Sequence, residues 1–224
     1  SSYCTFVPGG NYNTITGNLT FDSDSDGCDA NDPIHSNIKI GIVNGTSQGA
    51  AFSNALGNYS FLTLSGSFTL TPLIENPTWF TFSPVTATIP FANNNNNTAN
   101  QNFCFAANGV HNDVEVVIIP QGITSPGFDS TFKIVYKNKG NQTLSGTISF
   151  GYDEAVLDYV SSTQTPMSLS TGNIDWSYSG LLPFESRSFM VTLNVNSPTE
   201  TPPVNLFDIL NMTATINPVS GDES

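Results

Sequence analysis

Apolar residues along this chain recur at every second position, not at every third or fourth. That period belongs to strands with one face in a core and one in water. In Asn37–Val43 it places Ile38, Ile40 and Ile42 on one face. In Asn58–Thr63, after a turn at Gly57, it places Tyr59 and Phe61 together. Phe132, Ile134 and Tyr136 alternate in the same way, as do Phe189, Val191, Leu193 and Val195. Gly, Asn and Pro interrupt the runs, and helical stripes are nearly absent.

The pattern predicts strands at Thr14–Phe21, Asn37–Val43, Gly49–Ser53, Asn58–Thr63, Gly66–Leu70, Phe80–Ser83, Val85–Ile89 and Asn102–Ala106. After a break at Ala107-Asn108-Gly109 it predicts Val114–Ile119, Asp129–Asn138, Leu144–Tyr152, Leu157–Ser161, Asn173–Tyr178, Ser186–Asn194 and Asn205–Ile216. The tract FANNNNNTAN, residues 91–100, reads as a polar loop, because its side chains bury too little apolar surface to offset the entropy of ordering. The Pro-rich SPTETPPV, residues 197–204, reads as a long loop. The expected fold is all-β: two tandem β-sandwiches over 13–107 and 108–224, with residues 1–12 the tail of a preceding module. Seven strands in the second half suit an immunoglobulin-like sandwich, with Trp176 as its core anchor.

Charge supports the division. Residues 1–107 carry six carboxylates against one lysine, and residues 108–224 carry twelve against four cations. All three cysteines fall in the first half. The formal charge of -13 argues against nucleic acid as a partner and against docking on anionic lipid. No apolar run reaches ten residues, so direct membrane insertion is not expected. A polar surface built of Thr, Ser and Asn suits an exported protein. The abrupt ends, SSYC and SGDES, read as those of a fragment.

One stretch departs from this sparing use of charge. FDSDSDGCDANDP, residues 21–33, holds Asp22, Asp24, Asp26, Asp29 and Asp32. With Asp22 as position one, Asp24, Asp26 and Gly27 complete the D-x-D-x-D-G opening of a calcium loop. Alternate residues aim oxygens at one centre, Gly27 permits the turn, and hard oxygen donors suit Ca²⁺. The expected ligands are Asp22, Asp24, Asp26 and Asp32, with the Cys28 carbonyl as a further oxygen and Asp29 as a spare. Position twelve is Pro33, so this is no complete EF-hand, and strands flank it where an EF-hand has helices. The competing reading is a solvated acidic turn.

Cys4, Cys28 and Cys104 allow one bridge in three ways, and three buried thiols are the alternative. A Cys28–Cys104 bridge would close a long loop, leaving Cys4 free or paired elsewhere. Nothing in the sequence is catalytic by pattern: there is no G-x-S-x-G, H-E-x-x-H or phosphate loop, and His35 and His111 fall in loops. Asp153-Glu154 and Asp158 are explained by a turn. Trp176 and Tyr178 share a face and would form a flat sugar platform if that face were exposed. Trp79 is expected to face outward or toward the second domain.

The quoted motifs resemble known families. Within residues 14–107, ITGNLTFDSDSDGCDANDP, NIKIGIV and ALGNYSFLTLSGSFTLTP resemble the SdrD B-like and carboxypeptidase-regulatory-like (prealbumin-like) modules of bacterial surface proteins. That likeness implies calcium at Asp22, Asp24, Asp26 and Asp32. In residues 108–224, FKIVYKNKGNQTLSGTISFGYDEAVLDYVSS resembles DUF11-like repeat domains, with Asn138 and Gly140 in the N-x-G turn. The order of the modules is similar to that of Bacteroidota cell-surface proteins exported by type IX secretion. The implied role is a non-catalytic spacer in an adhesin or filament at the outer cell surface. The implied partners are neighbouring modules of the same polypeptide, a cell-surface glycan or protein, or further copies in a filament. The alternative is a carbohydrate-binding or accessory module of a secreted protein.

Overall fold

The computed structural model describes residues 9–218 and divides into two compact units, Ser1–Gly109 and Val110–Ser224. Cys4 and the closing SGDES lie outside the described residues. The fold is all-β. Among the described residues, the helical element is a single 3-10 turn at Pro77–Trp79, which carries Trp79, half-buried, into the next strand. No described helix is long and apolar enough to cross a membrane.

The first unit contains β1 (Asn13–Asp22), β2 (Lys39–Asn44), β3 (Ser47–Phe52), β4 (Asn58–Thr63), β5 (Gly66–Leu73), β6 (Phe80–Ser83), β7 (Ala87–Phe91), β8 (Thr98–Asn100) and β9 (Phe103–Ala107). One sheet runs β4-β1-β9-β6, with β8 also beside β1; the other runs β3-β2-β5-β7. β1 is antiparallel to β4 and parallel to both β8 and β9, which share its length end to end. Its inward positions Ile15 and Leu19 are fully buried, beside Ile40, Leu70, Phe103 and Phe105. The alternation of Ile38, Ile40 and Ile42 reads correctly: all three are buried.

The Asn tract is ordered, contrary to the expectation from its composition. Hydrogen bonding, not apolar burial, holds it. The Asn13 side chain is fully buried; it donates to the Asn93 carbonyl at 2.8 Å and accepts from the Asn97 backbone and amide at 3.0 and 2.8 Å. The tract then enters β8 against β1.

The second unit contains β10 (Val114–Pro120), β11 (Asp129–Asn138), β12 (Leu144–Tyr152), β13 (Leu157–Ser162), β14 (Ser168–Ser170), β15 (Asn173–Leu181), β16 (Ser186–Val195) and β17 (Met212–Ile216). They form two sheets, β10-β11-β16-β13 and β14-β15-β12-β17. Phe132, Ile134, Val191, Leu193, Ile148, Phe150 and Trp176 fill the core. Asn138, also fully buried, closes the Lys139-Gly140-Asn141 turn: its amide donates to the Gln142 and Leu181 carbonyls at 2.7 and 2.9 Å, and its Oδ1 accepts from Gly140 N–H.

Beyond shifts of a few residues at strand ends, one expected strand is shorter in the second unit and one strand there is unexpected. Residues 205–211 are not strand, because Asp208 accepts from the Asn205 N–H at 2.7 Å and Phe207 takes φ +75°, which turns the chain. The short β14 escapes the pattern because Ser168-Leu169-Ser170 offers no apolar face to bury; all three are exposed.

Candidate metal centre

β1 ends at Asp22 and delivers the chain into the acidic loop. Asp22, Asp24, Asp26 and Asp32 each offer one carboxylate oxygen, and these atoms all lie within 4.8 Å of one another. Ligands about 2.3–2.6 Å from one Ca²⁺ stand at most about 5 Å apart, so the four fit a single ion. The loop folds this way because its carboxylates take the backbone N–H groups. Asp22 accepts from Ser25 and Gly27 at 2.8 and 3.2 Å, and Asp24 accepts from Asp26 at 3.3 Å. Gly27 sits at φ +101°, where a side chain would be strained.

Asp32 does something its spacing does not announce. One of its oxygens accepts from the Ser23 N–H and hydroxyl at 2.9 and 3.1 Å; the other accepts from the Asp29 N–H at 3.0 Å. It thereby ties the two limbs of the loop together. These N–H donors hold its carboxyl below the usual range. Asp26 is pushed the other way, because it shares a hydrogen bond with Asp24 and feels its charge. A cation among these carboxylates would relieve that repulsion. Asp29 is turned elsewhere, accepting from the Asn31 N–H at 2.6 Å and the Asn31 amide at 3.2 Å.

Cys28 and Cys104 form a disulfide with Cα atoms 5.7 Å apart, spanning 76 residues. It joins the acidic loop to β9. His35 is buried between Phe21 and Phe105, ring centroids 5.7 and 5.6 Å away. Burial pulls its pKa down to about 4, so the imidazole is neutral and part of the core. His35 and His111 lie in separate units.

The sugar platform is corrected. Trp176 and Tyr178 do share a face, but it is the inward one: they are 0% and 5% exposed. Trp176 packs on Phe189 with centroids 4.7 Å apart and donates its indole N–H to the Gln164 carbonyl at 3.0 Å. The Tyr178 hydroxyl donates to the Asn217 carbonyl at 2.5 Å. No sugar can reach either ring. Lys133 and Lys137 lie half-buried on the face of β11 opposite Phe132 and Tyr136.

Sequence reading passed over a groove of about 580 Å³ in the first unit, lined by β1, β4, the end of β3 and the end of β8. Asn18, Asn58 and Asn100 are on strands and Asn54 and Asn102 in the loops beside them, positions that sequence pattern marks only as solvated.

No family model matches the chain, and no curated protein matches it. Among solved structures it is similar to the RrgB pilus protein of Streptococcus pneumoniae, at 10% identity and TM-score 0.33, over 92% of this chain and 48% of that one. It is similar to a DUF3823 family protein of Bacteroides ovatus, at 11% identity and TM-score 0.31, over 92% and 90%. It is also similar to a putative carbohydrate binding protein of Bacteroides uniformis, at 9% identity and TM-score 0.29, over 83% and 80%. The chain thus spans about half of the pilus protein. Likenesses this distant assign it neither function nor partner.

Proposed function

We propose that this chain is a non-catalytic structural segment of a secreted or surface-anchored bacterial protein, an adhesin or filament spacer, with calcium pinning its first unit. The two units are read as a prealbumin-like sandwich followed by an immunoglobulin-like one. The observation that carries the calcium reading is the convergence of four carboxylates within 4.8 Å in a chain that is otherwise sparing of charge. Asp22, Asp24, Asp26 and Asp32 would hold the ion, with the Cys28 carbonyl as a further oxygen. Bound there, it would neutralise a cluster that otherwise repels itself, and would tie the end of β1 to the loop that the disulfide fastens to β9.

An extracellular location is supported by the disulfide, which persists in oxidising surroundings. The net charge of -13 favours separation from like neighbours. The partners in this reading are adjacent modules of the same polypeptide, other copies in a filament, or a glycan or protein on another surface.

The deciding experiment is calcium titration by isothermal calorimetry on the full chain and on the Asp24→Asn/Asp26→Asn variant. Heat of binding at a stoichiometry of one, abolished in the variant, supports the reading. No binding in the wild type returns residues 21–33 to a solvated acidic turn.

A further inference from the structure

The groove of about 580 Å³ is lined by β1, β4, the end of β3 and the residues at the end of β8. Asn18 on β1 stands opposite Asn58 on β4. Thr16, Ser60, Asn100 and Asn102 extend the polar floor, and Asn54 and Phe52 form a rim. No lining residue is charged, although the chain carries 18 acidic side chains. Phe52 is 62% exposed, an apolar ring left in water beside a row of amides.

The amides are set in advance. Asn54 Oδ1 accepts from the Leu56 and Asn58 N–H groups at 2.9 and 3.1 Å. Asn102 Oδ1 accepts from the Asn18 N–H at 3.1 Å. Holding each oxygen to the backbone leaves the Nδ2 donors for a ligand. Asn100 is fixed through Thr16 Oγ1 at 3.3 Å, which leaves its oxygen as an acceptor.

We infer that this groove binds a neutral oligosaccharide. Vicinal hydroxyls match paired amide donors and acceptors, and the C–H face of a pyranose packs on an exposed ring such as Phe52. An apolar ligand would strand the amides unpaired, and an anionic one would meet repulsion from the chain with no cation in the groove to receive it. β4 and β3 are edge strands that an extended peptide could extend, but such pairing uses backbone groups and leaves the floor amides unmatched. The volume lies within the range of small-ligand sites. The inference deepens the surface-contact reading above by naming the ligand class and its place; it does not depend on calcium.

The test titrates the ¹⁵N-labelled full chain with cellohexaose, xylohexaose, mannohexaose and maltohexaose at up to ~10 mM, in calcium and again in EGTA. At least one neutral hexasaccharide is expected to shift the amide signals of Asn18, Phe52, Asn54, Asn58 and Asn102. Phe52→Ala and Asn58→Ala should each weaken that binding about 5-fold or more while the remaining signals keep their positions. A galacturonic acid hexamer should not bind. Silence with all four neutral sugars, shifts outside the groove, or unchanged affinity in both variants overturns the inference. So do shifts with a neutral Ser/Asn peptide but with no sugar, which assign the face to a protein partner. Loss of calcium binding with intact sugar binding would defeat the metal reading alone, and the converse would defeat the groove alone.

Discussion

Tyr59 stands directly opposite Gly17, and its hydroxyl reaches past that glycine to donate to the Gln101 carbonyl at 2.6 Å. The second unit repeats the device. Tyr178 stands opposite Gly146 and donates to the Asn217 carbonyl at 2.5 Å. In both, an aromatic ring covers a glycine that must stay bare. A Cβ on Gly17 would meet the Gln101 oxygen at 1.7 Å, and one on Gly146 would meet the Asn217 oxygen at 2.0 Å. Backbone on one side and a buried ring on the other leave little room to yield.

Gly17→Ala and Gly146→Ala should therefore destabilise their units by at least about 2 kcal/mol, through displaced backbone. Tyr59→Phe and Tyr178→Phe, which remove only the hydroxyl, should cost about 1 kcal/mol each. Chemical denaturation of the four variants checks this. Near-native stability in either alanine variant would show that the neighbouring strand slides freely.

Calcium should raise the melting temperature of the first unit. A ligand at about 100 times its Kd, bound only by the folded state, adds roughly 2.7 kcal/mol. The gain should vanish in EGTA and in Asp24→Asn/Asp26→Asn. It should also fade on acidification, because the Asp26 carboxyl holds its proton to higher pH than usual and that proton competes with the ion. Melting curves with and without calcium at several pH values measure all three. A melting temperature indifferent to calcium at neutral pH removes the ion from the account.

Reduction of Cys28–Cys104 should destabilise the first unit by roughly 4 kcal/mol, the loop-entropy value for a span of this length. The second unit, whose sequence has no cysteine, should melt as before. Calorimetry with and without a thiol reductant separates the two. Equal loss in both units would mean that they unfold together.

His35 makes the first unit sensitive to mild acid. Its folded pKa, about 4, lies below the ordinary 6.5. The unfolded chain thus takes up a proton first as pH falls. The contribution is fully present above pH 6.5 and is lost progressively as pH drops through about 4, by about 3 kcal/mol in all. In EGTA, His35→Gln should flatten this part of the stability profile. An unchanged slope between those pH values would place the acid sensitivity elsewhere; Asp32, whose pKa is lowered from 3.8, loses its contribution only below that window.

The sequence by itself determined what depends on neighbours along the chain. Period-two alternation located nearly every strand with an apolar face, because burying that face is a local requirement on each strand. The D-x-D-x-D-G spacing marked the acidic loop, since turn geometry and carboxylate reach are local too. The tertiary structure decided what depends on partners far apart. Ser168–Ser170 is strand only because β15 is beside it. The Asn tract is ordered only because Asn13, some 80 residues away, is buried against it. Trp176 and Tyr178 share a face by sequence, but only the packing of two sheets turned that face inward. Asp32 reads as a ligand by position, yet its hydrogen bonds to Ser23 and Asp29 make it the tie of the loop as well. The amide groove needed β1, β4 and the end of β8 side by side, and no local pattern encodes which outward asparagines will meet.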